Sequence, residues 1–134
     1  MQRLSLGLFG IFGRSAELRE FDRALRSVDL HPNLVPDAVK LTAVKMLKEQ
    51  AGCDPAPQSY RAAAEIVGYC MIGADVFAAA NGPELATEVE RRIETALDSG
   101  TSVDARLVLL TLHAKLIQPG VVASFQLESG AEED

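Results

Sequence analysis

The sequence predicts an all-α fold: a single-domain bundle of about five helices packed around one buried central helix. Three observations carry that prediction. Residues 60–81 form a long, Ala-rich run whose only charges are Arg61, Glu65 and Asp75, the composition of a helix buried on most sides. Residues 83–98 carry a single apolar stripe (Leu85, Ala86, Val89, Ile93, Ala96, Leu97) with Glu84, Glu88, Arg91, Glu94, Thr95 and Asp98 away from it, which marks a surface helix with one buried side. Gly and Pro punctuate the remaining periodic stretches at positions where helices start and stop.

At 134 residues the chain is the size of one ordinary domain and can bury a core without disulfide or metal staples. Hydrophobic residues make up 48% of it, which argues against wholesale disorder. Aromatics are only 5% and Trp is absent, so the core must be Leu, Val, Ile and Ala around Phe21, Phe77, Tyr60 and Tyr69. The net charge of −6 is uneven. Residues 1–50 carry eight Lys/Arg against six Asp/Glu, whereas residues 51–100 carry three against eight. That balance argues against a nucleic-acid reader, which needs a positive footprint.

Residues 1–13 read as an apolar, Gly-rich arm, residues 14–127 as the bundle and residues 128–134 as an acidic tail expected to lack order. The arm has one Arg and an apolar run cut by Gly7, Gly10 and Gly13, with no small-residue cleavage site after it, so it is not read as a signal peptide. The central run is nearly long enough to span a bilayer, but Glu65 and Asp75 would then both sit in hydrocarbon. A cytoplasmic location is the expectation, in keeping with two cysteines, Cys53 and Cys70, that form no pairing or metal pattern.

Helix one is expected over residues 15–28, capped by Ser15, with Leu18, Phe21, Leu25 and Val28 on its core face. Arg19, Arg23 and Arg26 form a ridge on the opposite face, with Asp22 and Arg26 spaced to pair. Pro32 turns the chain, and helix two follows over residues 36–50 with Gly52 as its exit. Val39, Ala43, Met46 and Leu47 make one apolar face of helix two; Leu41 and Val44 fall on another, so it is either sandwiched or offers a patch to a partner. Asp54-Pro55 is the expected start of helix three, which continues to about residue 80 before Asn81-Gly82. Helix five is expected over residues 103–118, capped by Ser102 and apolar almost all round. Residues 121–127 could add a short turn. Val67-Gly68-Tyr69 has no second copy about 34 residues away, which excludes a helical-repeat array.

Few residues carry chemistry. His31 and His113 belong to no metal-ligand spacing, and no cofactor or metal is expected. Glu65 and Asp75 are the most informative polar residues, because an unpaired charge in a buried helix is costly. Ten residues apart, they do not share a helix face, which weakens a paired-carboxylate site; Arg61 is the expected partner of Glu65. Gly68 and Gly73 each cost roughly 1 kcal/mol against Ala inside a helix, a loss that close packing against helix five would offset. Nucleophile elbows, Walker sequences and dinucleotide fingerprints are absent.

The expectation for function is therefore a non-catalytic module that binds another protein or itself. The candidate contact residues are Leu8, Phe9 and Phe12 of the arm, the Arg19–Arg23–Arg26 ridge, and Leu41 and Val44 of helix two. Two alternatives stand beside it. One is peripheral membrane contact through the arm. The other is a small-molecule or enzymatic pocket near Glu65, Tyr69 and Asp75.

Overall fold

The computed structural model describes residues 16–127, which form an all-α bundle with no strand among them. Helix α1 covers residues 16–27. A 3-10 turn at Pro32–Leu34 leads to α2 (Asp37–Ala51), α3 (Pro57–Asn81), α4 (Pro83–Ser99), α5 (Val103–His113) and α6 (Pro119–Phe125). The sixth helix takes up most of residues 121–127, where a short turn was one possibility, but it starts earlier, at Pro119. The expected cap of helix one, Ser15, lies outside the described residues.

Helix α1 buries Phe21, Ala24, Leu25 and Val28, as its spacing requires. It ends where Asp29 adopts a left-handed φ of 66°, so that the Leu30 N–H donates to the Leu25 carbonyl and the Asp29 N–H to that of Arg26. This closure satisfies two orphan carbonyls and drives Leu30 into the core. The same geometry, with a non-glycine residue at the left-handed position, recurs at Lys115 and Gln126, each followed by a leucine.

The two apolar sides of α2 are explained by two neighbours. One side faces α1, with the Lys48 Nζ donating to Glu17 at 2.6 Å and the Lys40 Nζ to Asp22 at 2.9 Å. These pairs run in opposite sequence order, so α1 and α2 are antiparallel. Lys40 is almost wholly buried and Asp22 is its counter-charge, which corrects the expected Asp22–Arg26 pair. The other side meets α3 and α5. Val44 is accordingly in the core at 2% exposure and Leu41 is half-buried, and both line a groove of about 410 Å³ beside Glu17.

Helix α3 is the central element and packs on α2, α4, α5 and α6. It starts at Pro57 with Ala56 as its cap, not at Asp54-Pro55, because Pro57 takes the first-turn position where a missing N–H costs nothing. The expected single helix is in fact two, broken at Gly73 (φ 88°, ψ 166°). Only glycine occupies that region readily. The break leaves the Cys70 carbonyl without a helical donor, and the Gln118 backbone N–H supplies one at 2.8 Å. Reaching that carbonyl is incompatible with a helix five that runs to residue 118. Helix α5 instead stops at His113, the chain reverses at Lys115, and α6 starts after Gln118.

Ahead of the break, Tyr60, Ala63, Ala64, Ile66, Val67, Tyr69 and Cys70 are buried, while beyond it Phe77 alone is fully buried. Gly68 is needed for a close approach, though not by α5: a Cβ there would lie 3.2 Å from the Val28 side chain. Asn81 ties the end of α3 to the end of α1, its Nδ2 donating to the Val28 carbonyl at 3.0 Å. Gly82 then ends α3 and begins α4, whose Ala86, Val89, Ile93 and Ala96 are buried as expected. Ser102 caps α5 through its Oγ, which accepts from the Ala105 N–H.

These two glycines give a stability test. Gly73→Ala forces a side chain into a glycine-only conformation and should cost about 1–3 kcal/mol in denaturant unfolding. Gly68→Ala trades crowding of Val28 against a helix-propensity gain of about 1 kcal/mol and should change stability less than Gly73→Ala. Equal losses would mean that the break is not held by glycine.

Candidate functional site

The strongest polar assembly joins three helices at Arg92. Its guanidinium donates to Glu65 on α3 at 2.8 Å, to the Ala62 carbonyl at 3.0 Å and to both oxygens of Asp104 on α5 at 3.0 and 3.3 Å. The planar fork suits this division between carboxylates, and the charge of Glu65 in an otherwise buried helix is thereby matched. Arg61, the expected partner, lies farther from Glu65, at 3.5 Å. Arg92 could not be singled out in the sequence because it sits beside Arg91 on a helix read as plainly amphipathic. All the acceptors of Arg92 are structural, and the node is a clamp between α3, α4 and α5.

The pocket expected near Glu65, Tyr69 and Asp75 does not form as a unit. Glu65 faces Arg92. Tyr69 turns its hydroxyl to Glu90 at 2.6 Å and packs edge-on against Phe77 and Phe125. Burial, reinforced by the Glu90 hydrogen bond, pushes the Tyr69 phenol far above the ordinary tyrosine range. Asp75 is exposed two residues beyond the Gly73 break. Tyr69 and Asp75 do share one feature, a groove of about 430 Å³ between the broken part of α3 and α6. Its walls include Ile72, Ala74, Val76, Gln118 and Val121. Val76 is 56% exposed beside it.

That exposure revises the central helix. Residues of α3 are long and apolar enough to cross a membrane by length and composition, yet only 44% of the most apolar 18-residue window is buried in the bundle. The uncovered part lies beyond Gly73. The sequence hid this because the hydrophobic run continues through the glycine, and a broken helix cannot be told from a straight one by composition.

The other candidate contact residues fall apart in space or out of view. Leu8, Phe9 and Phe12 lie outside the described residues. Arg19, Arg23 and Arg26 are all exposed on α1, and Arg23 pairs with Glu20 at 2.6 Å. Val44 is buried and Leu41 half-buried against α1. His31 caps the 3-10 turn, its Nδ1 accepting from the Asn33 N–H, and His113 is exposed at the end of α5. Among the described residues no three His, Cys, Asp or Glu side chains are placed to hold a metal ion.

Both cysteines are free thiols, Cys53 exposed and Cys70 fully buried beside Thr111. Burial pushes the Cys70 thiol from 9.0 up to about 12. The folded chain therefore holds this proton more tightly than the unfolded chain. The contribution to stability is intact below pH 9.0 and is lost as the pH rises through about 12. Cys70→Ala should flatten the fall in melting temperature over that window. In the native wild type, a thiol reagent should modify one cysteine at neutral pH and both only after unfolding.

The Arg92 clamp gives a second test. Arg92 is 20% exposed and its loss strands Glu65, so Arg92→Met should cost about 2–3 kcal/mol, somewhat less than a fully buried pair. Arg91→Ala, which removes only the exposed pair with Glu88, should cost under about 0.5 kcal/mol. Chemical denaturation of the two variants measures the contrast. The chain matches no protein-family model, and its comparison with curated proteins and with solved structures yields no match from which a function could be transferred.

Proposed function

We propose that the chain is a non-catalytic interaction module that receives an amphipathic, basic-flanked helix of another protein along α3 beyond Gly73. The observation that supports this is the uncovered apolar surface of the chain's most hydrophobic helix, centred on Val76 and the adjoining groove. A helix laid in a groove needs apolar walls, and Ile72 and Val76, on either side of the break, both line this one. Val76, 56% exposed, stands at a groove whose lining also includes Ile72, Ala74 and Val121, and apolar surface gathered in a groove is a place where contact surfaces form.

Charge selects the partner. Asp75 borders the groove, and Glu84, Glu88, Glu94 and Asp98 are exposed on the following helix. A segment with lysine or arginine at its edge complements Asp75 at the rim of the groove. The candidate residues of α1 and the arm take no part in this reading.

A photo-crosslinking amino acid at position 76, with one at Thr95 as the exposed control, tests the proposal in the native host. The expected result is a discrete hetero-adduct from position 76 only, lost on Ile72→Asp, whose attached peptide maps to a basic amphipathic segment. That segment as a synthetic peptide should bind the wild type at least ten times more tightly than it binds Ile72→Asp. Indistinguishable adducts from both positions, or an adduct of twice the chain mass, would overturn it.

A further inference from the structure

At the other end of α3 an acidic groove of about 420 Å³ opens between α1 and the start of the helix. Its lining includes Glu17 and Glu20 of α1, Asp54, Pro55 and Pro57 of the connection, and Tyr60. Tyr60 is 5% exposed, and its hydroxyl makes no hydrogen bond among the described residues. With no protein partner among the described residues, that hydroxyl is left to meet what enters the groove. Burial and the charges of Glu17 and Glu20 raise the Tyr60 phenol above its ordinary value, which keeps it neutral with lone pairs to offer.

The carboxylates have acceptor capacity to spare. Glu17 gives one oxygen to Lys48 and Glu20 gives one to Arg23, leaving Oε1 of each without an ion-pair partner among the described residues. Asp54 has no ion pair among the described residues. Three carboxylates around a phenol call for a cation with many donors in a fixed array. Pro55 and Pro57 add flat apolar walls against which such a cation can pack. Acidic side chains in metal-binding array are absent among the described residues, which directs the site to an organic cation.

We propose that the Tyr60 groove is a guanidinium-binding site that takes an arginine side chain, its planar N–H groups shared among Glu17, Glu20, Asp54 and the Tyr60 hydroxyl. The source is either an arginine of another polypeptide or one of this chain's own Arg3 and Arg14, which precede α1. The site is distinct from the apolar face beyond Gly73, and neither proposal depends on the other.

The chain has two tyrosines and no tryptophan, so ring-labelled tyrosine NMR of the full chain reads Tyr60 directly, with Tyr69 as the internal reference. The probes are N-acetyl-arginine amide and its neutral isostere N-acetyl-citrulline amide. The expected result is a saturable shift of Tyr60, with Tyr69 unmoved, at millimolar arginine probe and at least tenfold weaker for citrulline. Glu20→Gln with Asp54→Asn should weaken it at least tenfold, and the unchanged Tyr69 signals of that variant would show that it folds. Binding by wild type assigns an external arginine. Binding only by the Arg3→Ala, Arg14→Ala double variant, with Tyr60 shifted in the wild type at rest, assigns an arginine of the chain itself. No saturable Tyr60 shift in either protein, or equal response to citrulline, would overturn the proposal.

Discussion

A single backbone hydrogen bond, from the Gln118 N–H to the Cys70 carbonyl, sets much of the second half of this fold. A broken helix exposes carbonyls that nothing within the helix can satisfy, and burying one unpaired is costly. Meeting that demand at Cys70 requires a chain segment that arrives with its own N–H free. Pro119 lacks an N–H, and Gln118 just ahead of it stands outside the helix that Pro119 starts. The early end of α5, the reversal at Lys115 and the position of α6 all follow from this one requirement. The groove between α3 and α6 is the space that remains beside the break.

The charged side chains follow a comparable logic of matched demands. Arg92 satisfies Glu65 and Asp104 at the junction of three helices, and Lys40 is buried against Asp22 where α1 crosses α2. In both places a long cationic side chain lies over apolar packing while its head group meets a carboxylate. What is left over is informative. Tyr60 with the spare oxygens around it, and Val76 past Gly73, are two places where the described residues do not satisfy one another. One is polar and one apolar, and they lie at opposite ends of the same helix.

Much of the architecture was legible in the sequence because helix periodicity and helix punctuation agreed. The stripe of α4 and its burial correspond residue by residue, and Ser102, Gly52 and Gly82 act as the boundaries they were expected to be. Two of the failures share a cause. Gly73 and Lys115 are settled by contacts between segments distant in sequence, which no local pattern records, and the start at Pro57 was a choice between two prolines that both suit a first turn. Gly73 looked like a packing residue because Gly68, five residues earlier, is one. The second face of α2 was visible in the sequence as apolar, but only the three-dimensional arrangement shows that Val44 is in the core while Leu41 stays half-buried beside a groove. Leu8, Phe9 and Phe12 fall outside the described residues.

Gly82 has a consequence for how this chain can vary. One residue closes α3 and opens α4, so the 43 positions from Pro57 to Ser99 contain no slack. An inserted residue anywhere in that stretch would rotate every later side chain by about a quarter of a turn or more and take Arg92 or Val89 out of register with α3. Length changes are tolerable only in the connections before and after it, around residues 52–56 and 100–102. Related chains should therefore differ in length at those two seams and keep the α3–α4 hairpin at constant length.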